Sequence, residues 1–290
     1  MTNQPVDDRP GVATAQSGDQ RRRTALAALD LPRYALLPGD PERIDVMAGQ
    51  WDEARVIDLP RGYRAAVGVY RGVRIGAVST GIGGPSFEGV FTDLARLGVD
   101  TLIRVGTTGT LRADIATGSL IVTDAAVRLD GTSNLYVRPE YPAAAAHDVT
   151  FALADAAAVL GIPCRIGTGA TAGSFLVGQG RPGLDGYMSL EGERIIEEMR
   201  RTGVLNFEME TAVLLTLSRL YGLRAGAVCS VIANRVTGVW GDDGGIAQAC
   251  RTGAEAVRRL THWDEARVRM GRATLTADVV AACQIQDKTI

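Results

Sequence analysis

The stretch Thr101-Leu-Ile-Arg-Val-Gly-Thr-Thr-Gly109 sets one arginine in an apolar run that breaks into glycines and hydroxyls. The pattern predicts a buried strand over residues 101–105 that ends in a backbone cradle for an anion. A cation so near the end of a buried strand has to be paired, because a bare buried charge costs several kcal/mol. Gly106 and Gly109 would let the main chain approach a ligand, with Thr107 and Thr108 supplying hydroxyl and N–H donors. The competing reading is a structural arginine bonded to loop carbonyls and followed by an ordinary turn.

Four further stretches carry candidate chemistry. Pro38-Gly39-Asp40-Pro41 turns a short strand into a helix starting near Glu42, with Asp40 as N-cap and Pro41 as first helical residue. That leaves free N–H groups near Gly39 beside Arg43, a second place to hold an anion. In Ser174-Phe-Leu-Val-Gly-Gln179-Gly-Arg181 an amide and a guanidinium two residues apart follow an aromatic. Such a set can meet the edge and face of a flat heterocycle such as a pyrimidine, or be a solvated loop. Glu208-Met209-Glu210 stands between a strand and a helix start. Its carboxylates are either first-turn helix charges or acceptors for the vicinal hydroxyls of a sugar. Asn234-Arg235 follows the last apolar strand, where open α/β sheets bind ligands. The glycines of Gly167-Thr-Gly169-Ala-Thr-Ala-Gly173 imitate a dinucleotide fingerprint, but with the wrong spacing and no helix behind them.

The elements that must carry these residues alternate as strand and helix. Strands are expected at 34–37, 73–79, 101–105, 119–123, from 164, at 205–207 and at 224–233, with helices at 87–97, 143–160, after Glu191, to Tyr221 and to Trp263. This predicts an α/β fold: a single-domain, three-layer α/β arrangement around a central mixed, partly barrel-like sheet. Residues 1–30 read as a flexible N-terminal arm, 31–263 as the domain and 264–290 as a C-terminal tail.

The whole composition agrees with a globular chain. Its 290 residues are 46% apolar and 22% charged, with a net charge of −2, which removes the basic field that nucleic acid or a membrane surface would need. No apolar run is long enough to span a membrane and no signal peptide appears, so the expected location is cytoplasmic. Cys164, Cys229, Cys250 and Cys283 are scattered without metal-ligand spacing and read as buried small hydrophobes, with no metal expected.

Taken in order, Gly39-Asp-Pro-Glu-Arg43, Ser79-Thr-Gly-Ile-Gly-Gly-Pro-Ser86, Arg104-Val-Gly-Thr-Thr-Gly109, Val127-Arg-Leu-Asp-Gly131, Gln179-Gly-Arg181, Asn206-Phe-Glu-Met-Glu210 and Ile232-Ala-Asn-Arg235 resemble the nucleoside phosphorylase family with the hexameric α/β fold. The resemblance covers about residues 33–262, and the Gln-x-Arg pair resembles that of the pyrimidine-specific members. It implies a pentosyltransferase that carries out reversible phosphorolysis of uridine, or of a 5′-modified uridine such as 5′-amino-5′-deoxyuridine, to uracil and the α-ribose 1-phosphate. Phosphate would be held by Gly39, Arg43, Arg104 and Thr107, with Arg61 reaching in from a neighbouring subunit. The ribose would lie on Thr107, Glu208, Met209 and Glu210. Phe175, Gln179, Arg181, Ile232 and Arg235 would form the base site. Arg104, Thr107, Gln179, Arg181 and Glu210 would then carry catalysis. The implied partners are a nucleoside and inorganic phosphate as co-substrate, without a further cofactor, nucleic acid or membrane, in a dimer-based homo-oligomer, a hexamer.

Two departures stand out. No histidine precedes His147, whereas the resemblance implies one near the N-terminus on the ribose 5′-hydroxyl. Gly62 follows Arg61 where the resemblance implies a glutamate that helps to hold a monovalent cation, so a potassium site is not expected. Alternatives of other classes are a nucleoside hydrolase and a non-catalytic nucleoside-binding protein; three phosphate arginines argue against both. Replacing Arg104 by Ala is expected to harm phosphate use far more than folding.

Overall fold

The computed structural model describes residues 18–241 and 244–283. In chain order its elements are α1 (Gly18–Ala27), β1 (Tyr34–Leu37), α2 (Arg43–Ala48), β2 (Glu53–Asp58), β3 (Arg64–Tyr70), β4 (Val73–Val78), α3 (Gly84–Arg96), β5 (Thr101–Thr110) and β6 (Leu120–Leu129). The second half contains β7 (Ala143–Ala144), α4 (His147–Val159), β8 (Cys164–Ala172), α5 (Leu190–Arg201), β9 (Asn206–Glu208), α6 (Thr211–Leu220), β10 (Arg224–Asn234), α7 (Gly244–Arg269) and α8 (Ala277–Ala282).

One mixed sheet runs through the molecule. Strands β5, β10, β6, β8 and β9 pair in sequence and close on themselves through β9–β5, making a barrel-like ring, while β1, β4, β3 and β2 extend it as an open wing. The strands at the centre are buried on both faces, and their alternate side chains feed two cores. Tyr34 and Leu36 of β1 and Ile103 and Val105 of β5 pack with α2, α4 and α7 on one side. Ala35, Leu37 and Leu102 pack with α1, α3 and α6 on the other. The expected three-layer arrangement is therefore the observed one. No described helix is long and apolar enough to cross a membrane.

Several boundaries differ from expectation. Strand β5 does not stop at Val105: β10 pairs with it in parallel from Thr101 to Thr110, so the glycine stretch is strand rather than loop. Ala143 and Ala144 pair with Ala126 and Ala125 of β6, and the helix expected from 143 starts at His147; tertiary pairing overrides the helix propensity of alanine. The hairpin of β2 and β3 was not anticipated, since β2 is largely exposed and carries little apolar signal.

The expected arm is partly helix. Over Gly18–Ala27 its polar residues conceal one buried side, formed by Leu26 and by Arg22, whose Nε donates to Asp93 Oδ2 of α3 at 3.0 Å. Residues 1–17 of the arm and 284–290 of the tail lie outside the described residues. The boundary at 263 falls inside α7, because Asp264 accepts from the hydroxyl of Tyr34 at 2.6 Å and from Arg224 Nη1 at 3.0 Å, which ties the helix to the sheet. Of the four cysteines, Cys229 and Cys250 are buried and Cys164 and Cys283 partly exposed; all are free thiols.

Candidate active site

The parallel register brings the ends of three strands together. Leu37 at the end of β1 lies beside Arg104, and Thr107 of β5 lies beside Ser230 of β10. Past β1 the chain turns at Gly39, where Asp40 Oδ1 accepts from the Glu42 N–H at 2.9 Å. Arg43, the first residue of α2, is thereby aimed at β5, and its Nη2 donates to Thr107 Oγ1 at 3.4 Å. From the other side β9 pairs antiparallel with the end of β5, Gly109 opposite Phe207, and delivers Glu208, Met209 and Glu210.

Arg104 is 4% exposed and folds back over its own strand. A Cβ at Gly106 would sit 2.8 Å from Arg104 Nη2 and 2.9 Å from Cys229 Sγ, so the glycine makes room for the guanidinium. Arg104 Nε donates to Glu208 Oε2 at 2.9 Å, and its Nη2 meets Glu210 Oε2 at 2.5 Å. Burial opposes the charge, but Glu210 and Glu208 outweigh it and hold the guanidinium pKa above its ordinary value. Nη1, also buried, has no acceptor among the described residues, and the same is true of Arg43 Nε.

The two carboxylates differ. Glu208 Oε2 also accepts from the N–H groups of Glu210 at 2.9 Å and Thr211 at 2.8 Å, and Oε1 accepts from the Thr171 hydroxyl. It caps the start of α6 and anchors Arg104, and so many donors leave no room for a sugar. Glu208 is accordingly a positioning residue and not the ribose acceptor that was expected. Glu210 meets Arg104 through one oxygen and accepts from the Gly83 N–H at 2.5 Å through the other. Burial pushes its pKa up, against the pull of Arg104. Arg43 has no ion pair among the described residues; burial and then the charge of Arg104 lower its pKa.

The other end of the site is a short excursion after β8. A single 3-10 turn, Val177–Gln179, closes at Gly180 with φ +64°, a left-handed conformation that favours glycine. Gln179 is buried, and its Oε1 accepts from Arg181 Nη1 at 2.5 Å. Arg181 Nη1 also reaches Phe175 O at 2.9 Å, and its guanidinium lies 4.3 Å over the Phe175 ring. Among the described residues the Gln179 amide N–H groups and the remaining Arg181 donors have no acceptor, which leaves them available to a ligand. Burial lowers the pKa of Arg181.

A cavity of about 850 Å³ joins the two ends. Gly39, Arg43, Arg104 and Thr107 line one side; Glu208, Met209 and Glu210 line the middle; Phe175, Gln179, Arg181 and Ile232 line the other side. Two expected residues do not line it. Arg235 lies behind Gly109, with its Cδ 3.1 Å from where a Cβ would be, and burial and then Arg181 push its pKa down to about 10. Arg61, at φ +67°, pairs with Asp19 of α1 at 3.3 Å. The cavity also takes in Ile82 and Trp240, which sequence reasoning passed over. Their signal was a short apolar stretch between glycines in the loop after a core strand: Ile82 between Gly81 and Gly83, and Val239-Trp240 between Gly238 and Gly241.

Residues 33–265 match the model of the phosphorylase superfamily. The chain belongs to the phosphorylase superfamily. Among phosphorylases of this superfamily it is 51% identical over 243 residues to the uridine phosphorylase of Thermococcus kodakarensis, covering 84% of this chain and 87% of that protein. It is 39% identical to the uridine phosphorylase of Escherichia coli over 207 residues, 69% of this chain and 80% of that one. It is also 33% identical to the guanosine phosphorylase of Halorubrum lacusprofundi over 209 residues, 72% of this chain and 81% of that one.

Proposed function

We propose that this phosphorylase is a pyrimidine nucleoside phosphorylase, a cytoplasmic pentosyltransferase that cleaves uridine with inorganic phosphate to uracil and α-ribose 1-phosphate. The observation that carries the reading is the pair of buried donors without an acceptor among the described residues, Arg104 Nη1 and Arg43 Nε, beside Thr107 at one end of a cavity whose other end holds Gln179 and Arg181. Binding a nucleoside alone requires no such cationic end. No further cofactor and no potassium site enter the reading.

The chemistry follows from where charge moves. A phosphate oxygen attacks the anomeric carbon as the bond to N1 breaks, and the bonding electrons leave with uracil. Arg43 and Arg104 hold the dianion, with Thr107 and the backbone at Gly39 as further donors. Glu210, fixed by Arg104 and Gly83, accepts from the ribose hydroxyls, with Met209 under the ring. Arg181 and Gln179 donate to the uracil oxygens as negative charge grows there; one such donor contributes about 3 to 4 kcal/mol to the transition state. Phe175 and Ile232 pack on the base, and Arg235 braces Gly109 from behind. Arg61 completes the phosphate site of a neighbouring subunit in a dimer-based hexamer. Mixing two inactive variants, R61A and R181A, checks this: activity returns in hybrids only if Arg61 works across the interface.

Release of uracil from uridine with and without phosphate tests the main reading. Strict phosphate dependence is expected; phosphate-independent release would make the chain a hydrolase, and no release a binding protein. The absence of any histidine before His147 supports a finer reading, in which the natural substrate is a uridine changed at C5′, such as 5′-amino-5′-deoxyuridine. Its kcat/KM should exceed that of uridine, and a preference for plain uridine overturns it.

A further inference from the structure

The one exposed tryptophan stands at the mouth of the cavity. Trp51 and Trp263 are 8% and 2% exposed, whereas Trp240 is 66% exposed and lines the cavity with Ile232 and Ala233. An indole left so open forfeits the apolar burial that holds the other two in the core.

Its backbone is firmly held. Trp240 forms a bridge with Ala233, flanked by bonds from Asn234 N to Val239 O at 2.8 Å and from Gly241 N to Ile232 O at 2.9 Å. The Asn234 side chain ties the turn on both sides. Its Oδ1 accepts from the N–H groups of Val236 and Thr237 at 3.0 Å, and its Nδ2 donates to Arg112 O at 3.0 Å and Ile115 O at 2.9 Å. Gly238 permits the turn at φ +75°. Gly241 lies against Thr117, whose Cβ would be 2.8 Å from an added Cβ. A turn tied this closely holds an aromatic in the wall of the cavity that Phe175, Gln179 and Arg181 also line, and Phe175 has one ring face already covered by Arg181.

We propose that Trp240 is a base-binding residue that packs its indole over the nucleobase and covers the base end of the cavity. The proposal rests on the nucleoside reading above and adds a residue to it. An aromatic face suits a planar pyrimidine, and the ring that is exposed in the free protein becomes buried against the base in the complex.

Two measurements test it. Uracil titrated into the protein should quench tryptophan emission saturably, and Trp240→Phe, which leaves Trp51 and Trp263 in place, should abolish the quench. In steady-state kinetics Trp240→Ala should raise the KM for uridine roughly 5- to 100-fold, the scale of a base–aromatic stack, with the phosphate KM within about twofold. Trp240→Phe should recover most of the loss, and equal Tm values for the variants separate the effect from misfolding. An unchanged uridine KM in Trp240→Ala, or a quench that survives in Trp240→Phe, overturns the proposal. If the unaltered protein releases no uracil from uridine, the phosphorylase reading fails by itself. The titration with uracil and with adenine then still decides whether Trp240 meets a flat base.

Discussion

The two ends of the cavity hold their cations by different means. At one end Arg104 is built into the core, on a central strand, with two buried carboxylates already attached. At the other end Arg181 sits on a short excursion, stacked on an exposed phenylalanine and bonded to an amide, with no carboxylate on it among the described residues. The difference teaches that one guanidinium is part of the fold and the other is an appendage of it. A charge in the sheet needs permanent counter-charges, whereas a charge in a loop keeps its donors by remaining partly in water.

Breaking the pairing at Arg104 should have the largest effect. Arg104→Ala leaves Glu208 and Glu210 buried and uncompensated, a loss of about 3–5 kcal/mol, so Tm should fall by roughly 10 °C at neutral pH along with activity. This replaces the expectation that the substitution would harm phosphate use far more than folding. The deficit should shrink as pH falls, because the orphaned carboxylates then take up protons; thermal melts across pH check it.

Arg181→Ala tests the other side of the comparison. It should lower kcat about 10²- to 10³-fold while stability stays within about 0.5 kcal/mol. Arg43→Ala falls between the two ends, since it removes a half-buried guanidinium with no ion pair among the described residues. The phosphate KM should rise roughly 10- to 100-fold with little change in Tm, and a large fall in Tm would group Arg43 with Arg104 as a structural cation.

The smallest effect is the pH profile. Burial raises the Glu210 pKa above the ordinary 4.5, so the acid limb of kcat/KM for uridine should lie above that value, with activity lost as pH falls through it. For stability the sign is opposite. A raised folded pKa contributes stability that is fully present below 4.5 and lost as pH rises through the folded value. Glu210→Gln should abolish the acid limb, and because Glu208 still pairs with Arg104 the Tm should change far less than in Arg104→Ala.

Much of the site was legible in the chain because its chemistry is carried by short runs: Gly39 with Arg43, Arg104 with Thr107, Gln179 with Arg181, and Glu208 with Glu210. Each run lies within one element or turn, where spacing alone limits what the side chains reach. The strand–helix alternation likewise reflects local periodicity. Other features depended on partners far along the chain. Strand β5 continues through its glycines because β10 is beside it, and Gly106 is required because the Arg104 guanidinium occupies the space of its Cβ. Glu208 could be told from Glu210 only once Thr171 and the start of α6 were seen to saturate it. Helix α1 was hidden because Arg22 is polar in sequence and is buried against Asp93, 71 residues away, and the ring of Tyr63. The sequence by itself determined which charges, amides and turns were available. The tertiary structure alone decided which charges were neutralised, because pairing and burial are properties of what the rest of the chain brings alongside.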